Sequence, residues 1–439
     1  MLDDDQREAL QRELEADARP SILISPDYEI LASNGAYRSA FGGGVEGSRC
    51  FAVSHGYPGP CDQHGESCPL AQARRSRGPA RVLHVHRTPR GPEHVDVLLR
   101  PIWAEDGALA GFIEHLRPID EASARPRAGA QVGISRAFNA ALELALRAAP
   151  TEVPVLLLGE SGTGKERLAQ AIHDASERAS GPFVPVACSG LSESLIESEL
   201  FGHEKGAFTG AHAQHDGLVA AAQGGTLFLD EIGDITPSLQ VKLLRLLESR
   251  SFRRVGSTRP IQADFRLVSA TWRDLDERIA AGVFRPDLYF RVAAFPIRLP
   301  PLRERLDDLE LLVHAVLAEI GADQTPSHEV MERLRRHRWP GNVRELRNVL
   351  QRAAILADGE RIEVQHLSLP PLLPEVGPVA SEEARSDWPW GHEVLPREEV
   401  EARYLAWCVE HAEDRAELAQ KLGVSERTLY RKLARIKPA

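Results

Sequence analysis

Four apolar residues, Val155-Leu156-Leu157-Leu158, run straight into Gly159-Glu160-Ser161-Gly162-Thr163-Gly164-Lys165. A continuous apolar run of this length is expected of a strand buried on both faces of a parallel sheet. The glycines after it let backbone N–H groups surround an anion, and a helix starting near Lys165 aims its positive end at the same point. Lys165 is then placed to reach the β- and γ-phosphates of a nucleotide. Strand, glycine loop and helix together commit this part of the chain to an α/β phosphate-binding fold. Glu166 stands where the generic pattern has Ser or Thr.

Two further stretches complete the site. Thr226-Leu227-Phe228-Leu229 is an apolar strand that ends in Asp230-Glu231. Asp230 is placed to hold Mg2+ and Glu231 to polarise an attacking water. Between the two halves lies Gly206-Ala207-Phe208-Thr209-Gly210-Ala211. A compact ATPase has no internal need for an exposed Phe-Thr pair flanked by small residues, so this hexapeptide reads as a loop whose tip touches another molecule.

With these segments in place the chain resembles the sigma-54-dependent transcriptional activators, the NtrC-type bacterial enhancer-binding proteins. Their GAFTGA hallmark is matched without substitution at 206–211, and their phosphate loop also carries Glu at the position of Glu166. The segment Phe284–Arg291 resembles the family's arginine-finger region, which makes Arg285 and Arg291 candidates for stabilising the transferring phosphate from a neighbouring subunit. Trp339-Pro340-Gly341-Asn342-Val343-Arg344-Glu345-Leu346 matches the second sensor motif, in which Arg344 would contact the nucleotide. The resemblance spans residues 131–368 and implies an AAA+ α/β ATPase core over 131–297 with a helical lid over 298–368. It implies ATP and Mg2+ as ligands and a homo-oligomer running from dimer to hexameric ring. The Gly206–Ala211 loop would engage sigma-54, and hydrolysis would remodel the closed complex of its RNA polymerase holoenzyme.

Two positions depart from the family. Ala187 replaces an Asn that normally restrains the catalytic Glu, and Trp272 replaces the Asn of the first sensor motif. Neither a methyl nor an indole replaces both the donor and the acceptor of a carboxamide. Slower or less tightly gated hydrolysis is expected. The alternative is a DNA-binding regulator that binds ATP for assembly, hydrolyses it poorly and acts by occupancy. Promoter opening with ATP but not with a non-hydrolysable analogue separates the two. A protein-unfolding or replication-loading machine would leave both chain ends unexplained.

At 439 residues the chain has room for about three domains. Residues 1–17 have helical spacing. Over 18–118, two short strands, a helix ended by Gly42-Gly43-Gly44 and a later hairpin turning at Asp106-Gly107 resemble an α+β PAS sensor. No acidic cluster of the phosphoacceptor receiver type follows a first strand. Within this region Cys50, His55, Cys61, His64 and Cys68 fall in a Gly- and Pro-rich stretch. Thiolates and imidazoles are ligands for zinc, iron or an iron–sulfur cluster. Thiol redox sensing and an incidental loop remain the alternatives. His84 and His86 alternate on a strand and so share a face, which could line a ligand pocket but is read as solvated. Residues 119–130 read as a linker.

A second linker, 369–396, carries Trp388 and Trp390 among prolines. From 397 to 439 a helical pattern, a turn at Gly423 and a helix capped by Ser425 form an all-α helix-turn-helix resembling the Fis-type domain. Arg427, Thr428, Arg431, Lys432 and Arg435 are its candidate contacts to double-stranded DNA, at an upstream enhancer-like site. The net charge of −11 confines DNA binding to such a local basic patch. The acidic start, MLDDDQREAL, is neither a secretory nor a transit signal, and no apolar run approaches the roughly 20 residues that span a bilayer. A cytoplasmic protein with no membrane partner is expected.

Overall fold

Alternation along the first strand sets the sensor's two layers. Ile22 and Ile24 of β1 (Ser21–Ile24) point into one core, while Leu23 packs with Ala32 and Ile113 under Leu14 of the lead helix α1 (Asp4–Ala16). β2 (Ile30–Ser33) pairs antiparallel with β1. Asn34 ties the layers together. Its Oδ1 accepts from the N–H groups of Ser21 and Tyr37, and its Nδ2 donates to the carbonyls of Leu14, Asp17 and Arg19. That cap starts α2 (Gly35–Phe41), and Gly42, at φ +96°, stops it. Then come α3 (Cys50–His55), a 3-10 turn at Cys61–His64 and α4 (Pro69–Ser76). β3 (Ala80–Thr88), β4 (Gly91–Trp103) and β5 (Leu109–Pro118) close an antiparallel sheet of order β2-β1-β5-β4-β3.

The computed structural model describes residues 4–104, 106–119, 122–125, 131–190, 192–208, 211–359 and 361–369. Nearer the C-terminus it describes residues 399–400, 404–405, 408–409, 418–419, 424 and 426–433. Within the expected linker, β6 (Ala122–Ser123) pairs in parallel with β7 (Gln131–Val132). Met1–Leu369 forms one unit and Pro370–Ala439 another.

The ATPase core begins with α5 (Arg136–Ala148), capped by Ser135. β8 (Val155–Leu158), α6 (Lys165–Asp174), β9 (Phe183–Ala187), α7 (Glu193–Phe201), α8 (Leu218–Ala221), β10 (Thr226–Asp230) and α9 (Pro237–Ser249) follow. A short hairpin, β11 (Ser251–Phe252) with β12 (Ile261–Gln262), precedes β13 (Arg266–Thr271), α10 (Leu275–Ala280), α11 (Pro286–Val292) and β14 (Phe295–Arg298). The sheet is parallel throughout, in the order β14-β8-β13-β10-β9. Apolar clusters on both faces bury it, as a parallel sheet requires. Such sheets bind ligands beyond the carboxyl ends of their strands. Here those ends are Leu158, Ala187, Asp230 and Thr271.

Sensor and core share an interior. Leu83 of β3, Ile119 and Ala122 belong to the same buried cluster as Phe138, Ala141 and Leu142 of α5. His94 of β4 meets Asn139 of α5 at 3.0 Å, and Arg147 donates to the Arg81 carbonyl at 2.7 Å.

Past β14 the prolines end the sheet, and α12 (Leu309–Glu319), α13 (His328–Arg336) and α14 (Asn342–Ala357) form the lid. They pack around Trp339, fully buried, whose indole N–H donates to the Leu334 carbonyl at 2.9 Å. In the C-terminal unit, α15 (Glu426–Leu433) buries Leu429 against Leu405, Cys408, Leu418 and Ala419.

Candidate functional site

The glycine loop, the first turn of α6, the end of β10 and two lid helices line one cleft of about 330 Å3. Lys165 is buried at its base. Its ammonium donates to the carbonyls of Gly159 (2.7 Å) and Glu160 (3.0 Å), which hold it inside the loop. Burial works against its charge, and the Asp230 and Glu231 carboxylates act the other way. Thr163 braces the turn by donating to the Glu160 carbonyl at 2.9 Å. Gly162 has φ +77°, and a Cβ there would stand 2.5 Å from the Gly341 carbonyl, so the loop needs glycine at that point. Ser161, Gly164 and Glu166 also line the cleft; Gly159 and Glu160 form the loop's entry.

The lid grips this loop directly. The Val343 N–H donates to the Gly162 carbonyl at 3.0 Å. Arg344 Nη1 donates to Ser161 Oγ at 2.7 Å. Arg303 forms a two-pronged pair with Glu160, at 2.8 and 2.6 Å. Sequence reasoning missed two anchors. Asn342, fully buried, donates to Glu160 Oε2 and the Ser161 carbonyl. Arg305, also buried, donates to the Thr163 carbonyl at 3.0 Å and lines the cleft. Glu319 of α12, between Arg167 of α6 and Arg347 of α14, is a third missed link. A place inside the second-sensor motif was the signal available for Asn342; nothing local marks Arg305 or Glu319.

Asp230 and Glu231 reach the cleft from the end of β10. Asp230 accepts from the Glu231 N–H at 3.0 Å, and burial raises its carboxyl above the ordinary range while Lys165 opposes the shift. Glu231 lies at φ +55°, a left-handed conformation costly to a non-glycine residue and frequent where side chains are aimed for function. Ala187 is the β9 partner of Asp230 in the parallel register, so the side chain at 187 stands beside the carboxylate pair. Trp272 sits just past β13, exposed, with the Arg273 guanidinium 3.9 Å from its ring centre.

Arg285 and Arg291 do not line this cleft. Both are exposed on α11 or its cap, where Arg285 pairs with Asp287 and Arg291 stands 3.8 Å from Glu248. The Gly206–Ala211 segment leaves the core between α7 and α8. The Gly206 N–H donates to the Ala211 carbonyl at 2.8 Å and closes the loop's neck. Gly206 has φ +84°, and Ala207 packs beside Gly256. Phe208 is 45 % exposed with its ring against His203. Thr209 and Gly210 lie outside the described residues.

In the sensor, Cys50, His55, Cys61 and Cys68 line one buried cavity, whereas His64 is exposed and stacks on Tyr57. The expectation of a solvated face for His84 and His86 is overturned: they are 4 % and 3 % exposed and line the same cavity, with Glu114 of β5. Alternation places both on one face, and α3 and α4 cover that face. Burial raises Glu114 to about 8 and lowers His55 to about 3.

On α15, Arg427 and Arg431 are exposed, and Thr428 and Lys432 are half-buried. Ser425 and Arg435 lie outside the described residues. Among the described residues, no helix is long and apolar enough to cross a membrane.

The chain matches four protein families along its length. They are the PAS fold (residues 14–124), the sigma-54 interaction domain (131–298), the AAA+ ATPase lid domain (303–378) and the bacterial regulatory protein, Fis family (396–435). The transcriptional regulatory protein ZraR of Klebsiella oxytoca is 41% identical over 353 residues, covering 78% of this chain and 77% of that one. The Nif-specific regulatory protein of Herbaspirillum seropedicae is 49% identical over 242 residues, covering 54% and 45%. The structure of NtrX from Brucella abortus in complex with ATP aligns with a TM-score of 0.51 and 33% identity, over 72% of this chain and 71% of that one.

Proposed function

Because the chain belongs to the sigma-54-dependent transcriptional activators, we propose that its cleft is the ATP site and that hydrolysis there drives the Phe208 loop against sigma-54. The protein is an ATP-hydrolysing activator of sigma-54 RNA polymerase with a DNA-binding end. The residue roles are our reading. Its chief support is the convergence of Lys165, Asp230, Glu231 and Arg344 on one cleft.

Gly159–Gly164 and Lys165 bind the phosphates, and Arg344 couples the lid to them. Mg2+, when bound, supplies charge neutralisation to the leaving phosphate, and Asp230 is the residue that would hold it. Glu231 orients and polarises the attacking water. Arg285 and Arg291, off the cleft of their own chain, serve the site of an adjacent copy in our reading, with dimers assembling into a ring as the working unit. Arg427, Thr428, Arg431 and Lys432 read the DNA. The buried Cys/His cavity is the sensor's centre, a metal- or redox-responsive one.

The deciding experiment is promoter opening by sigma-54 holoenzyme on supercoiled template. Opening with ATP but not with a non-hydrolysable analogue supports the reading. Equal opening with both would show action by occupancy and overturn it.

A further inference from the structure

We propose that His55, Cys61, His84 and Cys68 hold a single metal ion of the zinc class, and that β3 transmits its presence to the ATPase helix α5. This rests on the reading of the cavity as the sensor's centre and supplies its ligand and its route of control.

The donor atoms of His55, Cys61 and His84 already lie within 4.8 Å of one another, and all three residues are buried. Ligands held about 2.0–2.3 Å from one tetrahedral ion stand roughly 3.3–3.8 Å apart, so a small contraction gathers these three around one ion. Cys68, at the start of α4, lines the same cavity and is the residue we assign as the fourth donor; its sulfur stands outside the 4.8 Å group and has to close in on the ion. Two sulfurs and two imidazoles form a closed set suited to zinc.

Each histidine is fixed through one ring nitrogen, which leaves the other available to an ion. His84 Nε2 stands 2.6 Å from the Ser67 carbonyl and His55 Nδ1 stands 3.2 Å from the Val85 carbonyl. With those nitrogens donating, the lone pair of each ring sits on the other nitrogen. Glu66 stands behind both rings, its Oε2 3.6 Å from His55 Nδ1 and 4.0 Å from His84 Nε2. That oxygen is buried without a hydrogen-bond partner, while Oε1 is fixed by the Tyr57 hydroxyl at 2.9 Å. A carboxylate or carbonyl behind each imidazole is the usual outer shell of a metal centre.

Size narrows the choice of ligand. The cavity's free volume is about 10 Å3, near that of one water-sized sphere. A single ion fits; an iron–sulfur cluster or a haem does not. A Cys61–Cys68 disulfide would leave both histidines without a task.

The route outward is the strand itself. His84 and His86 face the cavity, and Leu83, the residue before His84, projects from the opposite face into the cluster of Phe138 and Leu142. Arg147 of α5 holds the Arg81 carbonyl of the same strand. α5 packs on α6, whose first residue is Lys165. A ligand bond to His84 therefore fixes β3 one residue from its contact with the ATPase.

The test uses full-length protein purified without chelators. Metal analysis should find about one zinc per chain, and Co2+ put in its place should give the visible spectrum of a tetrahedral thiolate site. Cys61→Ser and His84→Ala, with His84→Asn as a milder variant and circular dichroism as the fold check, should lose the metal. Glu66→Gln should weaken affinity roughly 10–100-fold, and His64→Ala should leave it unchanged. Stripping the ion with a zinc-selective chelator in excess Mg2+ should change the ATPase rate about five-fold or more. Leu83→Ala and Arg147→Ala should keep the metal and lose that response. Folded wild-type protein that takes up neither Zn2+ nor Co2+, or unaltered affinity in folded His84 variants, overturns the site. Full metal content with an ATPase rate indifferent to stripping overturns the coupling. ATP-dependent promoter opening in any of these cases leaves the activator reading standing.

Discussion

Glu231 holds a backbone conformation that its side chain disfavours, at the end of the strand that carries Asp230. Strain of this kind, of order 1–3 kcal/mol, is retained where it aims a group. Glu231→Gln should keep ATP binding and lose turnover by roughly 10²–10⁴, as removal of a general base does; nucleotide titration and phosphate release measure the two separately. Ala187 stands opposite Asp230 in the register, so Ala187→Asn would bring a carboxamide to the acidic pair. That variant should lower basal hydrolysis and make it more dependent on sigma-54, read as the ratio of rates with and without it. Residues such as Lys165 and Asp230 were legible in the sequence because their chemistry is bound to local motifs. Arg305 and Asn342 were not. Arg305 reaches Thr163 and Asn342 reaches Glu160 across more than 140 positions, and only the folded lid brings them together.

At the scale of elements, the Gly206–Ala211 loop is closed at its neck and leaves Phe208 exposed. Phe208→Ala removes an exposed ring that supports no core, so ATPase activity should persist while binding to sigma-54 holoenzyme is lost; co-sedimentation with hydrolysis measured in parallel checks this. The first strands, α2 and the later hairpin followed from periodicity and turn residues, with Asn34 and Gly42 marking the ends of α2. Periodicity also put His84 and His86 on one face. It could not say which face α3 and α4 would cover, because that depends on how the chain between Asn34 and Ala80 folds back over the sheet. The expected linker hid β6 for a similar reason: its partner β7 begins where that linker ends, and a two-residue strand has no period to detect.

At the scale of the whole molecule, sites shared between copies have a clear signature. Lys165→Ala and Arg285→Ala, each inactive alone, should regain part of the ATPase rate when mixed, since some mixed sites contain neither substitution. The seam between sensor and core should also sense acid. Burial lowers His94 to about 4 from 6.5, with its Asn139 contact acting the other way. In the unfolded chain this ring takes its proton near pH 6.5, while the folded ring stays neutral. Its contribution is therefore intact above pH 6.5 and falls by up to roughly 3 kcal/mol as pH drops toward 4. His94→Gln should flatten the loss of thermal stability between pH 7 and 5. The same seam bears on modularity. Leu83, Ile119 and Ala122 are interior residues of the ATPase that happen to be encoded in the sensor's part of the gene. A recombinant fragment starting at Gln131 would expose Phe138 and Leu142, and a graft of another sensor would succeed only if it brought apolar side chains to fill the same hollow.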